Sequence, residues 1–567
     1  MRSRSFAFFL LSAALVIAAG DLTPSAAQEK KNKKAKAVDA PATPTAGAKP
    51  LDAILKDVSK PAAPPVAVPN KKDPAALAKL IDAEVNKKLA ADKVPGSPRA
   101  SDEEFLRRAY LDIVGVIPGA EAARAFLDST DPQKRERLID QLLADERFGR
   151  RMADLWTAKL FPKDSANRFV AKEPLHKWFE AEFNKNEGWD KLTTKLVTAT
   201  GTVADNPAVS YFMANRSVDK LTDTTAQHFL GIQLQCAQCH NHPFTSWKQT
   251  EYWAMATFYS KVKADNPKNA NKGGDPLQNG VQEGPGRSKG KDFFPEAAKN
   301  LPAKFLGGPE PALGAAEPFR PALAKWMTAP GNPFFAKALV NRTWAHLFGR
   351  GFVNPVDDML PENEASHPEL LAALAAHVAT TGEYDLKYLL KAICLSDAYQ
   401  RTSKPTADNK ADTALFSHMT VKVMSPEQLY DSLGTVTVAS KTDAKQGKAQ
   451  IGAAKGVKVG ARDQFVNFFL AGAETVNATE YEAGIPQALR LMNSNVMNNP
   501  AAARAVVGGT KKPEEAIERI YLAALSRRPT ATEVKNLTAY VTRVGADTAY
   551  SDILWAVLNS SEFTLVR

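Results

Sequence analysis

The run DPQKRERLIDQLLADERFGRRMADLWTAKLF, residues 131–161, decides the fold class. Leu138, Leu142, Phe148, Met152, Leu155, Trp156 and Leu160 recur at the spacing of one helix face. Pro132 follows Asp131, where a first helical residue needs no N–H. The spacing predicts one bent helix or two short ones. Outward from this run the same punctuation repeats. Asn332-Pro333 and Ser425-Pro426 pair a good cap with a proline, and Ser101 with Glu104 reads as a capping box before FLRRAYLDIVG. Amphipathic runs follow Asn332, Asp385 and Thr530 with Glu533, while sustained period-two alternation is scarce. The chain reads as mainly α.

At 567 residues, 44% hydrophobic and 24% charged, the bulk is globular, with room for two to four domains. The reading is two helical domains, 73–263 and 315–567, joined by a polar loop over 264–314. Residues 264–300 are rich in Gly, Asn, Pro and Lys, and 438–463 form a second Gly/Lys/Ala-rich interruption. No fixed-period repeat points to a solenoid. Before residue 73 the sequence reads as address and tether. Arg2 and Arg4 precede an apolar run from Phe6 to Gly20, with small residues at 25–27, so 1–27 reads as a secretory signal peptide. Residues 28–72, rich in Lys, Ala and Pro, read as a disordered tail. No later stretch is apolar enough for a transmembrane segment.

The net charge of +11 narrows once it is located. Residues 28–72 carry ten lysines against four acids, and Arg2 and Arg4 face Asp21, so only +4 remains for 73–567. That is nearly neutral, and no nucleic-acid partner is expected. The tail is a spacer that can touch anionic lipid or cell-envelope polymer.

Three cysteines exclude a disulfide-built scaffold. Two of them fall in Cys236-Ala237-Gln238-Cys239-His240, followed by Asn241-His242-Pro243. C-x-x-C-H is the attachment pattern for c-type haem: two thiols three apart reach two vinyl groups, and the next imidazole becomes the proximal iron ligand. A redox disulfide between Cys236 and Cys239, or zinc or copper held by Cys236, Cys239, His240 and His242, are the other readings. Met255 is a weak candidate for a sixth iron ligand, but with Trp253 and Phe258 it reads better as core. His242 is too close in sequence to reach the far haem face, and His228 reads as capping or packing. Iron that is five-coordinate or water-ligated fits these residues.

A second polar group comprises Asn341, Arg342, His346, Asp357, Asp358 and His367. Asp357, Asp358 and His367 are the residues of a metal-dependent hydrolase reading. The competing structural reading is a buried Arg–Asp network with a capping box at Ser366 and Glu369. Cys394 sits on an apolar helical face as a core thiol. No Walker loop, Rossmann glycine fingerprint or G-x-S-x-G is present.

RRAYLDIVGVIPG (107–119), RLIDQLLADERFGRRMADLWTAKLF (137–161) and CAQCHNHPFTSWKQTEYWAMATFY (236–259) resemble a planctomycete cytochrome-associated domain of unknown function, type 1549. NPFFAKALVNRTWAHLFGRGFVNPVDDMLPENEASHPELL (332–371), YDLKYLLKAICLSDAYQRTS (384–403), GIPQALRLMN (484–493), IYLAALSRRPTATE (520–533) and LWAVLNSSEF (554–563) resemble its usual C-terminal companion, type 1553. The resemblance implies an exported protein of planctomycete-like bacteria, with the C-x-x-C-H positions on Cys236, Cys239 and His240. It implies no particular reaction. Many relatives carry a separate N-terminal cytochrome-like domain; here a tail holds that place, so one haem c per chain is expected.

The expectation is an exported protein, periplasmic or associated with the cell envelope, with one covalent haem, an electron-transfer or redox-sensing role, and a redox partner protein. The alternative is a non-redox envelope-binding module with a structural Cys236–Cys239 disulfide or a non-haem metal.

Overall fold

A computed structural model describes residues 47–161, 171–265, 275–284, 294–295, 298–360, 362–437, 460–470, 489, 492–493 and 500–567. The expected signal peptide, the first part of the tail and residues 438–459 lie outside the described residues. Helices dominate the rest, and strands are confined to two small sheets. None of the described helices is long and apolar enough to cross a membrane.

The 131–161 run forms two helices, Lys134–Ala144 and Arg147–Leu160. The break comes at Asp145, whose Oδ1 accepts from the Arg147 N–H at 2.9 Å, an Asx turn competing with the helix. Leu138, Ile139, Leu142, Phe148, Met152, Trp156 and Leu160 are all buried, so both helices turn the predicted face inward. Helix Arg147–Leu160 lies tightly against helix Lys172–Asn184. At their crossing the Gly149 N–H donates to Asn184 Oδ1, and a Cβ on Gly149 would meet the Glu180 carbonyl. Trp156 and Trp189, 4.1 Å apart, anchor the aromatic layer beneath.

The apolar core does not divide at the polar loop. One cluster runs from Ile54 to Leu522 and draws on both the 73–263 and 315–567 segments. A second, mostly residues 424–566, also takes in Leu111 and Ile117. Helix Asp102–Ile113 straddles the two and is bolted to the far end of the chain. Arg107 donates to the carbonyls of Ala524 and Phe563, at 2.9 and 2.5 Å. Arg108 donates to those of Tyr399, Arg401 and Arg567, at 2.7 to 3.0 Å. The expected Ser101/Glu104 box is therefore half made. Ser101 Oγ accepts from the Glu104 N–H, but the Glu104 carboxylate goes to Arg108, Thr402 and Ser403.

Two expectations need correction. Residues 47–72 were read as disordered tail, yet Leu51–Asp57 is a helix with Ile54 only 1% exposed. The Lys49 N–H donates to the Glu310 carbonyl at 2.9 Å, and the Gly331 N–H to the Val58 carbonyl at 2.8 Å. Leu51, Ile54 and Leu55 supply a short helical stripe that the Lys/Ala/Pro composition hides. The 264–314 loop is also partly built into the fold. Gly280–Glu283 is the central strand of an antiparallel sheet between Gly201–Thr202 and Val262–Asp265. Phe305 is buried and stacks between Phe258 and Trp326, at 5.1 and 4.9 Å. Glu283 accepts from Arg320 Nε at 2.9 Å, tying the strand to helix Arg320–Met327.

Caps elsewhere follow the punctuation in part: Gln133 and Phe334 take the cap positions of helices Lys134–Ala144 and Phe335–Phe348, each two residues past the expected Asp131 and Asn332, so neither Pro132 nor Pro333 opens a helix. Asn332 accepts from the Phe334 and Phe335 N–H groups, Ser425 from that of Gln428, and Thr530 with Glu533 forms a full capping box. The Ser366/Glu369 box is absent. Pro368 opens its helix, which makes His367 the cap position and leaves Ser366 outside, against His367 Nδ1 at 3.0 Å.

Candidate functional site

Residues Val218–Thr225 form a helix that runs into a π turn, Ala226–Leu230, closed by Gly231 at φ +70°. Ile232 and Leu234 are buried and pin the chain that leaves it. The next turn, Gln235–Gln238, is a 3₁₀ turn with Cys239 at its C-cap. Residues three apart eclipse in such a turn, so Cys236 and Cys239 stand on one side while Ala237 is buried. Both thiols are exposed and unbridged.

Helix Gln249–Ala256 supports this turn from beneath. Gln249 Nε2 donates to the carbonyls of Gln238 and Cys239 at 3.1 and 2.8 Å, and Trp253 Nε1 donates to that of Gln238 at 2.9 Å. The Gln249 N–H reaches Asn241 Oδ1 at 3.0 Å, and the His242 N–H reaches the Trp247 carbonyl at 2.8 Å. His240 is exposed, with Nδ1 2.7 Å from the Asn241 carbonyl oxygen. A carbonyl oxygen can only accept, so Nδ1 carries the proton and Nε2 keeps its lone pair. The His242 lone pair is already used, because its Nδ1 accepts from the Phe244 N–H at 3.3 Å. Phe244 itself is 79% exposed.

Met255 lies on the supporting helix but is enclosed in the core, so the structure does not bring it out to His240. Below the turn, Gln238 Nε2 donates to Asp219 and Tyr252 OH donates to Asp223 Oδ1 at 2.9 Å. Burial, with Asp219 nearby, pushes the Asp223 carboxyl up to about 6. Sequence reading does not single out Gln249 or Asp223, and takes Trp253 only as a core residue. The i, i+4 pair of Gln249 and Trp253 beside the motif was the available signal.

The second polar group scatters. Asp357 faces Arg342 Nη2 at 2.6 Å and His228 Nδ1 at 3.4 Å. Burial opposes its ionisation, but Arg342 and His228 hold it well below the usual carboxylate range. Asp358 accepts from Asn363 Nδ2 at 3.0 Å. His346 Nε2 donates to the Asp112 carbonyl, and Asn341 Nδ2 donates to the Val353 and Val356 carbonyls. His367 packs on Phe352 and Phe416. Asp357, Asp358 and His367 thus each have separate duties, as a buried network requires. Among the described residues no three His, Cys, Asp or Glu side chains gather as a metal site. Cys394 is buried in the core.

Comparison with known families agrees with this layout. Residues 80–264 match a protein family of unknown function, DUF1549 (PSCyt2), and residues 319–541 match another, DUF1553 (PSD1). The chain is a tandem DUF1549–DUF1553 protein. Neither the curated proteins nor the solved structures hold a match to it. In this DUF1549–DUF1553 chain the C-x-x-C-H turn belongs wholly to the first family segment. Helices from both segments build the larger core cluster.

Proposed function

We propose that this protein is exported and carries one haem c, held by thioethers from Cys236 and Cys239 with His240 Nε2 on the iron. Electron transfer or redox sensing is its role. The observation that carries the reading is the His240 Nδ1 contact with the Asn241 carbonyl. It leaves Nε2 as the ligating nitrogen beside two free thiols on the same outward turn. The bound iron supplies one-electron chemistry between its ferrous and ferric states.

The chain's own residues supply the rest. Cys236 and Cys239 would hold the group as thioethers, each S–H adding across one vinyl C=C with no oxidant needed, and His240 would hold it through Nε2. Gln249 and Trp253 hold the turn's carbonyls, so the two sulfurs and the imidazole keep a common orientation. Exposure of the turn leaves its edge within reach of a redox partner, and Phe244 offers that partner or the porphyrin an apolar contact.

A second reading has its own observation. Three residues of 3₁₀ turn rise about 6 Å, within the Cα separation a disulfide spans. In that reading Cys236 and Cys239 close a bridge in an envelope-binding module. The full chain, expressed with haem-attachment machinery, separates the two. A Soret band and haem stain that stay with the denatured chain, and vanish in Cys236→Ala/Cys239→Ala without loss of helical circular dichroism, support haem. Unstained protein with a Cys236–Cys239 bridge supports the module.

A further inference from the structure

Three cavities meet at one buried side chain. A cavity of about 120 Å³ lies between helix Arg147–Leu160, helix Phe335–Phe348 and the start of helix Pro426–Thr437. A second, about 210 Å³, is lined by Gly115, Asp154 and Gln428, and a small one, about 20 Å³, by His346 and Lys422. Arg151 lines all three. Gly115, at φ +74°, makes room for it, since a Cβ there would sit 2.8 Å from Arg151 Cδ.

Arg151 is poorly compensated for its position. It is 5% exposed, its Nη1 reaches only the neutral Ser425 hydroxyl at 3.4 Å, and its buried Nε has no partner. No carboxylate pairs with it among the described residues. Asp154, Glu427 and Asp112 act on it only through space; Asp154 and the half-buried Glu427 line the 120 Å³ cavity as well, and Asp154 is turned to Arg462 at 2.6 Å and His176 at 2.8 Å. Arg342 lines the same 120 Å³ cavity. Its Nη2 holds Asp357, while its buried Nε and Nη1 have no partner. Leu155, Leu339, Leu386 and Leu390 supply apolar wall.

A buried guanidinium whose counter-charges act only from a distance, with its own donors unmet, is costly to hold, and unsatisfied donors beside a void call for a partner. A cavity of about 150 Å³ accepts benzene, so this one, at about 120 Å³, takes a ligand of at most about six non-hydrogen atoms, a short-chain acid such as butyrate. We propose that the space between Arg151 and Arg342 is a binding site for a small organic carboxylate. The two guanidiniums hold its head, and its apolar stem lies along Leu155, Leu339 and Leu390. The site draws its walls from both family segments, as ligand sites between packed units often do. It stands whether or not Cys236 and Cys239 carry haem.

Calorimetric titration of the full chain with butyrate, butylamine and inorganic phosphate tests it. Butyrate should bind saturably and more tightly than the other two. Arg151→Met should weaken it by about tenfold or more, the loss of a charge-assisted contact. The ligand-free variant should melt no lower than the parent, because it removes an unpaired charge rather than a support. If Arg151→Met cannot be purified, Leu390→Phe, which fills the cavity, carries the same binding readout. No saturable butyrate binding, phosphate or butylamine binding as tightly, a lowered melting point in ligand-free Arg151→Met, or affinity unchanged in the variant would each overturn the proposal.

Discussion

Lys422→Met removes one half of a buried ion pair that joins the two family segments. Lys422 Nζ lies 2.6 Å from Asp112 Oδ1 and donates to the His346 and Leu347 carbonyls at 3.0 and 2.7 Å. Asp112 Oδ2 accepts from Tyr399 OH at 3.0 Å. The two side chains are 9% and 2% exposed, and burial pulls the Lys422 pKa down. Without the ammonium, Asp112 keeps a single hydroxyl donor, and two carbonyls at the end of helix Phe335–Phe348 lose theirs. Breaking such a pair costs about 3–5 kcal/mol, a large part of a protein's total stability. Lys422→Met/Asp112→Leu removes both charges of the pair, leaving unmet only the Tyr399 hydroxyl and the two carbonyls, and should cost about 1–2 kcal/mol. The double variant is thus the more stable. Guanidinium chloride unfolding, followed by circular dichroism and tryptophan fluorescence, reads both values from the midpoints. A Lys422→Met cost below about 1 kcal/mol, or a double variant as weak as the two single losses added, refutes the desolvated-pair reasoning.

Burial, aided by Lys88, lowers His367 to about 4, so between pH 6.5 and 4 the unfolded chain binds a proton that the folded chain refuses. Stability of up to about 3 kcal/mol, complete above pH 6.5, is lost as pH falls through that window, and His367→Leu should flatten this limb of the pH–stability curve. Asp223 is shifted the other way, to about 6, so its folded form favours the proton and stability drops as pH rises from about 4 to 6. Asp223→Asn, which still accepts from Tyr252, should be about 1–2 kcal/mol more stable than the parent at pH 7 and level with it near pH 4. Gly149→Ala drives a methyl into the Glu180 carbonyl and should cost about 1–3 kcal/mol in urea unfolding; an unchanged midpoint would deny the close helix crossing.

Local pattern carried the helices and some of their caps, because Leu138 to Leu160 and Ser425-Pro426 mark their own surroundings. It did not carry what depends on distant partners. Glu104 looks like a cap three residues from Ser101, yet its carboxylate is taken by Thr402 and Ser403. Nothing beside Arg107 and Arg108 in the sequence announces their partners, which are carbonyls near the end of the chain that bury both side chains. The Gly280–Glu283 strand pairs with Gly201–Thr202 and with Val262–Asp265 at the edge of the polar stretch, and with only four residues in a polar run no local alternation announces it. The C-x-x-C-H turn was legible because its chemistry is contiguous. Its support by Gln249 and Trp253, and the partnerless Arg151, were not, since both arise only when separate helices meet.

The central claim is covalent haem at one exposed turn, and the most direct measurement is the mass of the peptide spanning residues 236–240. The full chain is exported from a cell with haem-attachment machinery, purified and digested without reductant. The account predicts that this peptide carries one haem, with neither thiol open to alkylation. A peptide of unmodified mass with two alkylatable thiols, or one lighter by two hydrogens from a Cys236–Cys239 bridge, would contradict it.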